Sequence, residues 1–313
     1  MKIALFGAVS ASVTALTELA DAAGLDLRVF GLAPTKANRH SDYVDLVPLA
    51  RARGLTTTVI DDINAPSTLE ALREYAPDIA CVFGWSQLVR TEFLAVPRLG
   101  VLGWHPSLLP RNRGRAVIPW TILQGTTETG FTIFWIDEGI DSGDISAQVP
   151  VNVSADETAA TLYAKMEEAA GVALRELIPA MRAGTIPRRP QQHADATYCA
   201  RRDREDGRID WEQSANHIAR LIRASGDPYP GAFTDSRLGE MVVDVASVDT
   251  SGRYWGVPGQ VQWVDSKGVV VACGESTAIR LLVVRALGQP AGPAQALPKL
   301  HEHLGARARR VKN

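Results

Sequence analysis

The sequence is short of cysteine, of net charge and of long apolar runs, and each shortage removes a class of protein. Its three cysteines, Cys81, Cys199 and Cys273, stand far apart with no CxxC and no histidine at ligand spacing. That excludes a disulfide framework and a structural zinc site. The 33 Lys and Arg nearly balance the 35 Asp and Glu, for a formal charge of -2. No global field therefore draws the chain to nucleic acid or to an anionic membrane. No apolar stretch approaches the ~18 residues of a membrane span. MKIALFGAV carries one lysine and a short apolar run before Glu18 and Asp21, so it reads as a first strand and not as a signal peptide. The expected location is the cytoplasm.

Familiar motifs are missing as well. Gly7 is followed by Val9 and Ser12 where a dinucleotide fingerprint has its later glycines, and no GxxxxGK[ST] phosphate loop exists. Ser86 in GWSQL lacks the second glycine of a nucleophile elbow. Asp137, Glu138, Asp141 and Asp144 crowd together without EF-hand order, and His301-x-His303 has no third ligand nearby, so no metal is expected. Repeats and low-complexity segments are absent.

What remains is an ordinary folded composition, 46% hydrophobic and 22% charged, over 313 residues, a length that suits two domains. The first half alternates short apolar runs with helical patterns, as a parallel sheet covered on both faces requires. Strands are expected at 2–6, 25–32, 56–60, 79–84, 100–104, 130–136 and 145–153, with helices from Ser10 or Ser12 to Gly24 and at 44–53, 66–75, 115–123 and 158–181. Pro187, Pro190 and clustered arginines then break the pattern. Short strand-like runs at 241–248, 258–264, 268–273 and 278–284 suggest a small β-barrel. The expected fold is α/β: a Rossmann-like parallel sheet domain over 1–189, a linker over 190–205, and an OB-like β-barrel domain over 206–313.

In an open parallel sheet, ligands sit beyond the carboxyl ends of the strands. Two loops there are rich in chemistry, HPSLLPRNRG from His105 and DEGIDSGD from Asp137. An imidazole works as acid, base or hydrogen-bond donor near neutral pH, although a lone histidine at a strand end reads equally well as structural. Gly139 and Gly143 suggest a tight turn with one acid pointing inward. Arg111, Arg113 and Arg115 alternate after the histidine and suit a phosphate or carboxylate; a solvated charged loop is the plainer reading. The basic tail with Arg307, Arg309, Arg310 and Lys312 reads as a frayed terminus.

HPSLLPRNRG and FTIFWIDEGIDSGDI together resemble the folate-dependent formyltransferase family. That group includes methionyl-tRNA formyltransferase, the sugar-nucleotide N-formyltransferases and, most similar in these two loops, the hydrolase domain of formyltetrahydrofolate dehydrogenase. DGRIDWEQSANHIARLIRA and PYPGAFT resemble the start of the family's second domain. The resemblance implies 10-formyltetrahydrofolate as donor, with His105 donating to the formyl oxygen and Asp141 orienting the imidazole and helping to remove a proton. It places the pterin near Phe83, Trp85, Leu88, Val89 and Arg90 and near Asp137 and Glu138, bordered by Gly103 and Trp104. Ser107 joins Arg111, Arg113 and Arg115 as an acceptor-side group.

The sequence departs from the family at Gly103, where most amine formyltransferases have Asn. The lost amide donor must be replaced, by a backbone N–H, the Ser107 hydroxyl or water, or the reaction differs. The expected activity is N-formyl transfer to a small amine, such as an amino sugar nucleotide or a hydroxyornithine-type siderophore precursor. The alternatives are a methionyl-tRNA formyltransferase, which the mixed-charge PTKANRHSDY loop and the net charge oppose, and a 10-formyltetrahydrofolate hydrolase.

Overall fold

A computed structural model describes residues 1–39, 42–237, 239–286, 289–291 and 299–305; the basic residues from Arg307 onward lie outside the described set. The chain divides into two compact units, residues 1–117, 127–153 and 163–200 in one and 118–126, 154–162 and 201 onward in the other.

The first unit contains β1 (Lys2–Gly7), β2 (Asp26–Leu32), β3 (Thr56–Ile60), β4 (Ile79–Val82), β5 (Gly100–His105), β6 (Arg113–Gly114), β7 (Glu128–Trp135), β8 (Ile145–Asn152) and β9 (Tyr198–Cys199). All but β6 and β9 form one seven-stranded sheet in the order β3-β2-β1-β4-β5-β7-β8. β1 and β4 are buried almost throughout because both sheet faces are covered, which their continuous apolar runs demand. Helices α1 (Ser10–Ala20), α2 (Leu46–Ala52), α3 (Pro66–Tyr75) and the short α4 (Thr91–Leu94) connect the strands. α3 starts with Pro in its first turn and stops at Ala76 in the left-handed region. One face of the sheet packs Phe6 against Phe30, with ring centroids 4.4 Å apart, and against Leu69, Leu72 and Phe93.

The expected Rossmann-like parallel sheet is present over β3-β2-β1-β4-β5, and antiparallel strands extend it at one edge. β7 runs antiparallel to β5, and β8 antiparallel to β7; a single turn over 136–144 joins β7 to β8, and a connection that short makes a hairpin. The stretch 190–205 is not a free linker as far as residue 200. There β9 pairs with β6, and Arg113 N–H donates to the Thr197 carbonyl, so the first unit extends to residue 200.

α5 (Val117–Gln124) and the start of α6 (Ala159–Ala183) contribute to the second unit. That unit also holds α7 (Ala215–Ser225), β10 (Ala232–Ser236), β11 (Gly239–Asp249), β12 (Val261–Asp265), β13 (Gly268–Ala272), β14 (Ala278–Ala286) and β15 (Gln289–Ala291). The short-strand pattern corresponds to an antiparallel sheet in the order β10-β11-β14-β13-β12, with β15 on β14. α7 is capped by Ser214, whose hydroxyl accepts from His217 N–H, and it lays Ile218, Leu221 and Ile222 into a core with Met241, Val243, Val271 and Ile279. Strand periodicity alone had no place for this helix or for β10. Among the described residues, no helix is long and apolar enough to cross a membrane.

Candidate active site

His105 closes β5 and is 5% exposed. Its Nε2 lies 2.7 Å from the Asn112 carbonyl oxygen, an obligate acceptor, so Nε2 carries a proton and donates. Nδ1 faces Asp141 Oδ2 at 3.5 Å, too far for a direct hydrogen bond but close for a charge pair. The contact that fixes the ring is therefore made by a backbone carbonyl, where the resemblance assigns it to Asp141.

Asp141 sits at φ 50°, in the left-handed region that Asp and Asn tolerate better than most residues. Its Oδ2 accepts from Gly114 N–H at 2.7 Å. Since β7 is antiparallel, Ile136 lies beside Val101 at the start of β5. The turn that follows folds back along the sheet to bring Asp141 to His105. The turn lies at the carboxyl end of β7, a strand that runs opposite to its neighbour β5.

The loop after β4 borders the same place. Thr91 donates to the Glu138 carboxylate at 3.3 Å, tying this loop to the Asp137–Asp141 turn. Asn64 pins the loop from below, donating to the Leu88 carbonyl and accepting from Arg90 N–H. Trp85 donates to Gln87, and Val89 packs on the core. Leu88 is 77% exposed and Ile140 55%. Two large apolar side chains left bare on tied loops suit a flat aromatic ligand. Asp137, in contrast, spends Oδ1 on Gly139 N–H and the Ser142 hydroxyl of its own turn.

Family comparison matches residues 36–178 to a model described as formyl transferase, and residues 202–299 to the formyl transferase C-terminal domain. The chain belongs to the formyltransferase family. Solved formyltransferase-like structures share its fold. It aligns over 95% of its length with HypX from Aquifex aeolicus in complex with tetrahydrofolic acid, at 20% identity and TM-score 0.63. The alignment takes in 47% of that chain, so this protein spans about half the length of HypX. An N-formyltransferase from Helicobacter canadensis, in complex with folinic acid and dTDP-3-aminofucose, aligns over 93% of this chain and 100% of its own at 14% identity, TM-score 0.63. WlaRD, a sugar 3N-formyl transferase, aligns over 92% and 98% at 16% identity, TM-score 0.65.

Within this chain, several expected site residues stand elsewhere. Phe83 is fully buried and stacks on Trp104, with centroids 4.6 Å apart. Alternation along β5 puts Trp104 on the sheet face opposite His105 and Gly103, so this pair supports the strand from behind. The Ser107 hydroxyl is buried and donates to the Arg111 carbonyl. Arg113 is 2% exposed and its guanidinium donates to Gln191, Tyr198 and His193; it is an internal strut, not an arm for anions. Arg111 and Arg115 are exposed, with Arg115 reaching the Ser86 carbonyl.

At Gly103 the structure answers where the family's amide would have stood. A Cβ there would lie 2.9 Å from Ile136 Cγ1 and 3.2 Å from Phe134 Cε1. An apolar wall fills the space, and Ser107 does not replace the donor. Gly103→Asn alone is expected to gain no turnover and to lose about 1–3 kcal/mol by overpacking. Gly103→Asn with Ile136→Ala should recover that stability; urea denaturation of both variants checks it.

Asn112, Gln191 and Ile136 escaped the sequence reading. Asn112 alone carried a signal, an Asn before Arg-Gly in a loop, which suits its φ of 56°.

Proposed function

We propose that this formyltransferase moves the formyl group of 10-formyltetrahydrofolate to the amine of a small acceptor in the cytoplasm, with His105 and Asp141 as catalytic residues. One observation carries this reading: an imidazole held at Nε2 by Asn112, with Nδ1 turned toward a carboxylate 3.5 Å away. Addition of an amine to the formyl carbon places negative charge on the formyl oxygen. A proton gained at Nδ1 lets the ring donate to that oxygen, a contact that strengthens as the charge grows. Asp141 takes up the proton that the amine sheds; the oxyanion then collapses to the carbonyl, the bond from the formyl carbon to N10 breaks, and that proton passes to N10 of the departing tetrahydrofolate.

Leu88 and Ile140 offer the pterin an apolar seat, and the backbone of the Asp137–Asp141 turn offers hydrogen bonds. Exposed Arg111 and Arg115 suit an acceptor with a phosphate or carboxylate. The net charge of -2 favours such a molecule over tRNA. Hydrolysis of the donor is the second reading, favoured by the apolar wall at Gly103 and Ile136 where amine formyltransferases carry Asn.

The test supplies 10-formyltetrahydrofolate and follows tetrahydrofolate, with and without an amino sugar nucleotide or an amino-acid amine. Release that depends on the amine, with formylated acceptor in equal amount, is the expected result. Release at the same rate without any acceptor would establish the hydrolase.

A further inference from the structure

Gln191 follows the last helix of the first unit, in the stretch where the sequence pattern suggests a linker, yet it is 5% exposed. Its side-chain amide makes a complete set of contacts. Nε2 donates to the Asp141 carbonyl at 2.9 Å and to the Gly143 carbonyl at 2.7 Å. Oε1 accepts from Arg113 Nη2 at 2.7 Å and from Arg113 Nε at 3.2 Å. Arg113 is held in turn by the Tyr198 hydroxyl and His193 Nδ1. The next residue, Gly114, supplies the N–H that Asp141 Oδ2 accepts.

One buried amide therefore grips both segments that define Asp141: the turn that carries its backbone, and the strand that carries the donor to its carboxylate. Both grips are needed. The turn has to fold back along the sheet, with Asp141 in the left-handed region, and nothing in a hairpin connection by itself favours that course. The amide's orientation is forced, because the Arg113 guanidinium only donates and the two turn carbonyls only accept.

We infer that Gln191 is a positioning residue for formyl transfer, setting the distance and direction of the Asp141 carboxylate from His105 by joining the Asp141–Gly143 turn to Arg113. This rests on the catalytic reading of His105 and Asp141. A residue of this kind acts chiefly on kcat, since the donor's seat is held apart from it: the Leu88 loop by Asn64, and the start of the Asp137–Asp141 turn by Thr91 through Glu138.

Gln191→Glu is the deciding variant. It keeps the shape and gives Arg113 a carboxylate, so the fold survives, but it removes both donors to the turn. Turnover is expected to fall about 10–100-fold, the effect of a catalytic group displaced by roughly an ångström, with KM for 10-formyltetrahydrofolate changed by less than about twofold. Gln191→Asn, one methylene shorter, should show the same split if Gln191→Glu yields no folded protein. In an Asp141→Asn background, Gln191→Glu should add less than about twofold, because both changes disable one unit. Full multiplication of the two effects, or a rise in KM matching the fall in kcat, would overturn the inference.

Amide exchange tests the same contacts without turnover. Gln191→Glu should speed exchange of Gly114 N–H at least about tenfold, and unchanged protection would overturn the inference. A wild-type enzyme that turns over no donor counts against the formyl-transfer reading instead, and leaves the exchange measurement to decide the role of Gln191.

Discussion

His105→Ala is expected to lower turnover by about 10²–10⁴-fold, the usual worth of a positioned acid or base, while the donor still binds. The reason lies in where the ring stands. Asn112 holds Nε2 from behind, so the imidazole presents Nδ1 without a search over rotamers, and its removal deletes a donor that matters most when the formyl oxygen carries charge. Binding should survive because the apolar seat at Leu88 and Ile140 lies on loops tied by Thr91 and Glu138, which the ring does not hold. Asp141→Ala should lose a similar factor, with the added effect that Gly114 N–H loses its acceptor. Steady-state kinetics with 10-formyltetrahydrofolate, beside equilibrium binding of tetrahydrofolate, read the two quantities separately. Near-normal turnover in either variant would remove that residue from the chemistry.

Gly143→Ala should rank next in effect, through the backbone rather than through a reacting group. A Cβ at Gly143 would overlap the Trp135 carbonyl oxygen on β7. The Trp135 carbonyl cannot swing aside, since the Ile136 N–H of the same peptide donates to the Val101 carbonyl at 2.8 Å and the Trp135 N–H to the Asp144 carbonyl at 2.8 Å. The turn must then lift off the strand, and Asp141 moves with it. A fall in kcat of about 10²-fold is expected for a displacement near an ångström, together with about 1–3 kcal/mol of stability. Gly139→Ala is the comparison. A Cβ there meets the Ser142 hydroxyl, a side-chain atom that can turn aside by giving up its hydrogen bond to Asp137, so the cost should be smaller than that at Gly143. Equal losses in the two variants would show that general loosening of the turn, and not its contact with β7, governs the rate.

Several elements were plain in the residues. β1 and β4 are continuous apolar runs, and only a strand buried on both faces needs such a run. α3 begins and ends where Pro66 and the apolar spacing of Leu69, Leu72 and Tyr75 predict. The six-stranded second sheet showed as short runs between turn residues, yet β10 and α7 did not, because their apolar positions make sense only against the strands they cover.

At the site the same division holds. Local composition determined that a histidine ends one strand and that an acid sits in a glycine-flanked turn. These are properties of neighbours in the chain. The tertiary structure alone decided that β7 runs against β5, that the turn folds back to bring Asp141 within 3.5 Å of His105, and that Arg113 turns inward while Gln191 binds both segments. Each of these depends on which buried donor finds which buried acceptor across long stretches of chain. Water is not there to substitute, so pairing in the interior sets the geometry that sequence spacing leaves open.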